Sequence, residues 1–274
     1  MTPAPACRLE AQFADGPAGP LFRLDVAPDR SPIRGRVLLL APFAEEMNRA
    51  RRMMIALARR LAGEGLVTTI ADLHGTGDSG GDFADARWEG WLDDIAFLRR
   101  RLQGACPVWL AGIRTGALLA AQSLAGDPDG IAGALFVAPV GSGARFLTQL
   151  LRIRVAATMA RGGRETTEAL RARLRAGETL PVGGYPLTPA MAQALETASL
   201  AATSPPEVPV HWFELAGSPD TLPSPPQALL PGAWRQPDVH AHPIVDASFW
   251  ALQEPTVPET LIDAVAAVMR EARP

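Results

Sequence analysis

The chain has 274 residues, 47% of them hydrophobic, and a formal net charge of −3. At this size one large α/β domain with an insertion buries enough apolar surface to fold without disulfides or structural metals, and the slightly acidic balance gives no overall footprint for nucleic acid or an anionic membrane. All 26 basic residues are arginine, so a P-loop lysine and Schiff-base chemistry are excluded by inventory.

Cys7 and Cys106 stand far apart, outside any C-x-x-C pattern, so neither a zinc knuckle nor a redox pair is expected and the thiols read as reduced. No cofactor or metal is expected. The first residues show no cationic start followed by an apolar run, and no segment reaches about 18 apolar residues, which predicts a cytoplasmic chain with no transmembrane segment.

Arg36 to Ala41 (RVLLLA) is a short apolar run suited to a strand covered on both faces. Asn48 then precedes Met53, Leu57 and Leu61 at helical spacing, closed by Gly63. Leu66 to Asp72 forms a second strand, and Trp88, Trp91, Leu92, Ile95, Leu98 and Leu102 mark the core face of a second helix. Val108 to Ala111 leads into a helix from Gly116 to about Leu124, and Ile131 to Pro139 is a fourth strand. Such alternation implies a mainly parallel sheet with right-handed crossovers.

Residues 142–205 break the rhythm. Eight arginines fall between Arg145 and Arg175, no strand-like run occurs, and the stretch closes at Pro205 and Pro206, so a helical lid or cap insertion is predicted there. The core, 1–141 and 206–274, then resumes with strands at Val208 to Leu215 and Arg235 to Val245 and a last helix opening near Pro258.

In open α/β sheets ligands bind beyond the carboxyl ends of the strands. Gly75 to Gly80 formally matches G-x-G-x-x-G, but the next helix starts too late to receive a pyrophosphate, so a tight glycine loop is the better reading. Val108 to Ala120 (VWLAGIRTGALLA) is more informative: a short strand runs into Gly112-x-x-x-Gly116 and a small-residue helix, the form of a nucleophile elbow. Its central residue is Arg114. A guanidinium stays protonated and cannot attack, so acyl-enzyme chemistry at this position is excluded, while its fork suits a carboxylate or phosphate.

With the elbow frame and the Asp72-Leu73-His74-Gly75-Thr76-Gly77-Asp78-Ser79 loop, the chain resembles the α/β-hydrolase superfamily over roughly residues 20–272. More narrowly, Pro42-Phe43-Ala44-Glu45-Glu46-Met47-Asn48, Arg51-Arg52-Met53, Gly77 to Phe83, Phe249-Trp250 and Gln253-Glu254 are similar to the exosortase A system-associated hydrolases of the second type. That resemblance implies an α/β-hydrolase fold and a setting in exopolysaccharide production. In that setting the expected function is hydrolysis of an ester or related acyl group on a small-molecule substrate, an acylated sugar or a lipid-linked intermediate, although the resemblance itself names no substrate.

The resemblance also gives the acid position a candidate in Asp220. The histidine position, in the loop before the last helix, reads Asp246-Ala247-Ser248-Phe249-Trp250, with His240 and His242 several residues early. His242 reaches the site only if its strand ends before it. A conventional Ser-His-Asp triad is therefore not expected. Glu45 and Glu46 follow the first of these strands, and one of them is expected to pair with Arg114, either as general base for water or as a structural bridge. Phe43, Ile113 and Trp250 are expected to line the substrate pocket. Ser79 and Ser142 read as turn formers, His74 as a support of its own loop, and Trp88 and Trp91 as core. The alternative to a hydrolase is a non-catalytic relative that keeps the pocket to hold an anionic small molecule or a partner protein.

Overall fold

A computed structural model describes residues 7–29 and 32–272. Strands β1 (Cys7–Gly16) and β2 (Gly19–Pro28) form a hairpin, followed by β3 (Gly35–Leu40), α1 (Glu45–Ala62), β4 (Leu66–Ala71), α2 (Trp88–Leu102), β5 (Val108–Ile113), α3 (Thr115–Gly126) and β6 (Ile131–Val137). The insertion comprises α4 (Gly143–Ala160), α5 (Thr167–Arg175), the short strands β7 (Leu180–Val182) and β8 (Tyr185–Leu187), and α6 (Pro189–Thr197). The core then closes with β9 (Val210–Ala216), β10 (Val239–Val245) and α7 (Glu259–Glu271).

Eight strands form one sheet in the order β1-β2-β4-β3-β5-β6-β9-β10. From β4 to β10 all neighbours are parallel, and only the β1–β2 hairpin, joined to β4, runs antiparallel. The parallel strands carry apolar side chains on both faces because both are covered. Met53, Met54, Leu57 and Leu61 of α1 and Leu261, Val265 and Met269 of α7 cover one face. On the other, Trp91, Ile95 and Leu98 of α2 and Leu118 of α3 join Phe146, Leu147 and Leu151 of α4 in one continuous core. Burying each such side chain contributes about 1.5–3 kcal/mol.

Three departures from the sequence reading have physical causes. The 7–28 hairpin escaped it because β1 is an edge strand with mostly exposed side chains and hence little apolar signal. The insertion is not strand-free: β7 and β8 pair around Gly183-Gly184, both at positive φ, in strands too short to show a period. And α1 starts three residues before Asn48, at Glu45, which puts Glu45 and Glu46 in its first turn, where the helix dipole favours them.

Candidate active site

Three non-glycine residues hold positive φ among the described residues: Ala44 (52°), Arg114 (55°) and Ala138 (43°). Each lies in the loop just past the carboxyl end of a central parallel strand, β3, β5 and β6. The conformation at Arg114 (φ 55°, ψ −117°) is the strained turn that lifts a side chain over the sheet edge. Two glycines make room for it. A Cβ on Gly112 would sit 2.4 Å from the Gly116 carbonyl oxygen, and one on Gly116 would sit 2.6 Å from that of Leu40. The turn is closed by the Arg114 N–H donating to Val137 O (2.9 Å) and by the Val140 N–H donating back to Arg114 O (3.2 Å).

The Arg114 side chain folds onto α1. Its Nε donates to Glu46 Oε2 at 3.2 Å, Nη2 to Glu46 Oε1 at 3.3 Å, and Nη1 to Ala138 O at 3.1 Å. The guanidinium also lies over the Trp250 ring, 4.4 Å from its centroid. Arg114 and Glu46 are largely buried, 15% and 18% exposed. Burial pushes the Glu46 carboxyl above its ordinary range, against the downward pull of Arg114 and of Arg49. Glu45 points elsewhere: it accepts from Arg49 Nε (3.3 Å) and Asn48 Nδ2 (3.2 Å) at the pocket rim. So Glu46 is the residue that meets the elbow.

These groups form the floor of a cavity of about 360 Å³ lined by Phe43, Glu45, Glu46, Arg49, Arg114 and Trp250 from the core. Phe146, Leu150, Ile153, Val182 and Tyr185 of the insertion form the opposite wall. Phe43 anchors the junction, packing edge-on against Phe83 (5.4 Å), Trp91 (5.8 Å) and Phe146 (6.0 Å). Beneath it a void of about 20 Å³, lined by Ala44, Thr76, Trp91 and Thr115 among others, leaves room for one water-sized group at the start of α1 and α3.

The remaining expected site residues do not converge here. His242 stays inside β10, its Nε2 3.0 Å from His211 Nδ1 and its ring stacked on Phe213, because the strand runs on to Val245 and turns it toward the α1/α7 face. Asp220 is exposed, its carboxylate held to Ser218 Oγ (3.5 Å) within its own turn. Ile113 is fully buried on the α1/α7 face and lines no part of the pocket, since alternation along β5 turns it away from Gly112 and Arg114.

The supporting residues behave as turn chemistry predicts. Ser79 donates to Asp72 O (2.6 Å) and accepts from the Phe22 N–H, and Ser142 caps α4. Asp72 ties the glycine loop together by accepting from Arg51 (2.7 Å) and the Asp78 N–H (3.0 Å). His74 donates its N–H to buried Asp94 and its carbonyl accepts from Trp91 Nε1.

One residue was missed from the sequence. Glu214, near the end of β9, accepts from Trp212 Nε1 at 3.0 Å, and burial raises its carboxyl despite that bond and the charge of Arg114. Inside the apolar-looking run VPVHWFEL only its strand-end position marked it.

A mainly parallel sheet with a strained elbow and a pocket at the strand ends defines an α/β-hydrolase fold. The family profile described as serine aminopeptidase, S33, matches residues 31–174, and the chain belongs to that hydrolase family. Solved structures agree on the fold. Est1E from Butyrivibrio proteoclasticus with ferulic acid bound superposes with a TM-score of 0.71 at 17% identity, covering 95% of this chain and 98% of that one. An α/β serine hydrolase without lid from Xanthomonas campestris gives 0.58 at 17% identity over 100% of both chains. Mouse α/β-hydrolase domain-containing protein 10 gives 0.59 at 14% identity, covering 95% and 98%. No curated protein matches the chain.

Proposed function

We propose that this protein hydrolyses an ester or related acyl group without a serine nucleophile, using Glu46 to activate water and Arg114 to stabilise the developing oxyanion. The observation that carries this reading is Glu46 itself, a carboxylate raised by burial at the floor of a cavity of about 360 Å³ and bonded to the elbow residue. A raised carboxyl is a better base near neutral pH than an ordinary one. In the step proposed, water attacks the acyl carbon and gives a proton to Glu46. Collapse then breaks the ester C–O bond, and Glu46 returns the proton to the leaving alkoxide. Of the five guanidinium N–H donors, three have protein acceptors, which leaves two for the oxyanion.

The insertion acts in this reading as a lid, its apolar wall facing the acyl part of the substrate. Two of the segments that carry the resemblance to exosortase A system-associated hydrolases reach the pocket: Phe43, Glu45 and Glu46 of the first line it, and Trp250 covers Arg114. This supports a substrate from exopolysaccharide production, an acylated sugar or lipid-linked intermediate, met in the cytoplasm. The test is hydrolysis of a panel of acyl esters and thioesters by the wild type beside Glu46→Gln and Arg114→Ala, each checked for folding. Loss of a general base is expected to lower kcat about 10²–10⁴-fold, and the wild-type pH profile is expected to rise through a group above the ordinary carboxylate range, a limb absent from Glu46→Gln. Activity that survives both substitutions overturns the assignment. A second reading, a non-catalytic relative binding an anionic small molecule or a partner protein, is favoured by the bidentate bridge in which both Glu46 oxygens already accept from Arg114; it predicts no turnover by any form and a co-purifying ligand that Arg114→Ala releases.

A further inference from the structure

The whole-chain charge conceals a strongly asymmetric surface. Residues 143–164, α4 and the turn after it, contain five arginines and no acidic residue. Arg154 is used within the insertion, paired with Glu165 at 2.8 Å, and Glu165 also accepts from Thr158 and Arg173. Arg145, Arg152, Arg161 and Arg164 have no side-chain partner among the described residues. Arg145, Arg152, Ala156, Met159 and Ala160 recur at three-, four- and seven-residue intervals and so share one face of the helix. That face is bare: Ile153 is 51% exposed and Met159 65%, beside exposed Ala156, Ala157 and Ala160.

Cations flanking exposed apolar side chains on one helix face are the pattern of a helix that lies in a membrane interface. Nucleic acid fits less well, because the stripe has no aromatic ring on which a base could stack. Ile153 belongs to both surfaces: it projects from α4 and lines the cavity above Arg114. The apolar stripe is therefore continuous with the pocket wall.

We infer that this face of α4, together with the turn that follows it, docks on an anionic lipid surface, with Arg145 and Arg152 of the helix and Arg161 and Arg164 of the turn against the headgroup phosphates and Ile153 and Met159 inserted below them. The inference stands apart from the chemistry proposed at Glu46. Docked in this way, the pocket faces the lipid it would draw from.

The test is co-sedimentation of the full chain with vesicles of phosphatidylcholine alone and of phosphatidylcholine containing one third phosphatidylglycerol. Binding to the anionic vesicles is expected to exceed binding to the neutral ones at least about tenfold and to be lost at about 0.5 M salt. Arg152→Glu, Arg161→Glu and Arg164→Glu combined should abolish it with the melting temperature unchanged, since these side chains hold nothing in the fold. Ile153→Ser with Met159→Ser should weaken it even at low salt, while Arg100→Glu on α2 should not. Equal binding to both vesicle types, binding insensitive to the arginine reversals, or no binding to either overturns the proposal. So does competition by duplex DNA for the same arginines, or a dimer in solution that Met159→Ser dissociates.

Discussion

Arg114 holds a backbone conformation that costs a non-glycine residue on the order of 1–3 kcal/mol, and the contacts around it keep it there. Its neighbour Gly116 makes the stricter demand, since a Cβ would meet the Leu40 and Ala41 carbonyl oxygens at 2.6 and 2.8 Å. Gly116→Ala is therefore expected to destabilise the protein by about 3 kcal/mol through forced separation of α3 from β3, lowering the melting temperature by about 6–12 °C in a thermal scan. A melting temperature within 2 °C of wild type would mean that the helix moves aside freely. At this scale the site was largely legible. The G-x-R-x-G frame announced a guanidinium at the elbow, and the glutamate pair announced its partner. Which glutamate turns inward was not readable, because it depends on where α1 begins, and Ala44 starts that helix from a positive φ that no propensity signals. Glu214 was not legible either, since burial beside Trp212 is a matter of tertiary packing.

Among the elements, the β9–β10 edge carries the clearest pH response. His211 and His242 stand 3.0 Å apart, with His240 stacked 5.1 Å from His211. Burial first, and then the neighbouring imidazoles His242 and His240, push the His211 ring down to about 4. The unfolded ring titrates near about 6.5, so between these values the unfolded chain binds the proton more readily. The stability that neutral His211 provides is complete above about 6.5 and is lost as pH falls toward 4. Urea titrations across this window are expected to show a shallower loss for His211→Leu than for wild type; parallel curves would mean that the pair does not titrate on unfolding. The same edge explains part of what the sequence hid. The extent of β10 decides whether His242 reaches the pocket, and its ladder with β9 runs without a break from Val239 to Val245. The central strands were readable because both faces are apolar, whereas edge strands β1 and β10 show little pattern.

In the molecule as a whole, the insertion and the core meet above the elbow through few polar ties. Asn48 Nδ2 of α1 donates to the Tyr185 hydroxyl at 2.7 Å, and the Tyr185 ring packs edge-on against Phe83 at 4.9 Å. Tyr185→Phe removes the hydrogen bond and keeps the ring. It is expected to cost about 1 kcal/mol, a small change in global melting, but to open the insertion more often, so that trypsin cuts faster after the exposed Arg161 and Arg164. Unchanged cleavage would show that the apolar seam around Phe43 and Phe146 holds the insertion by itself. The histidine positions have one more consequence. Among the described residues no imidazole lines the pocket, so Arg114→Ser alone would mount a hydroxyl on a ready-made elbow with only the Glu46 carboxylate, a weaker base than an imidazole, beside it. Trp250 is the pocket residue whose ring lies against this side chain, its centroid 4.4 Å from the guanidinium carbon, and is the position at which to supply an imidazole. Arg114→Ser is expected to ignore a fluorophosphonate probe, and Arg114→Ser with Trp250→His to be labelled by it, a serine hydrolase restored by retrofit rather than by selection.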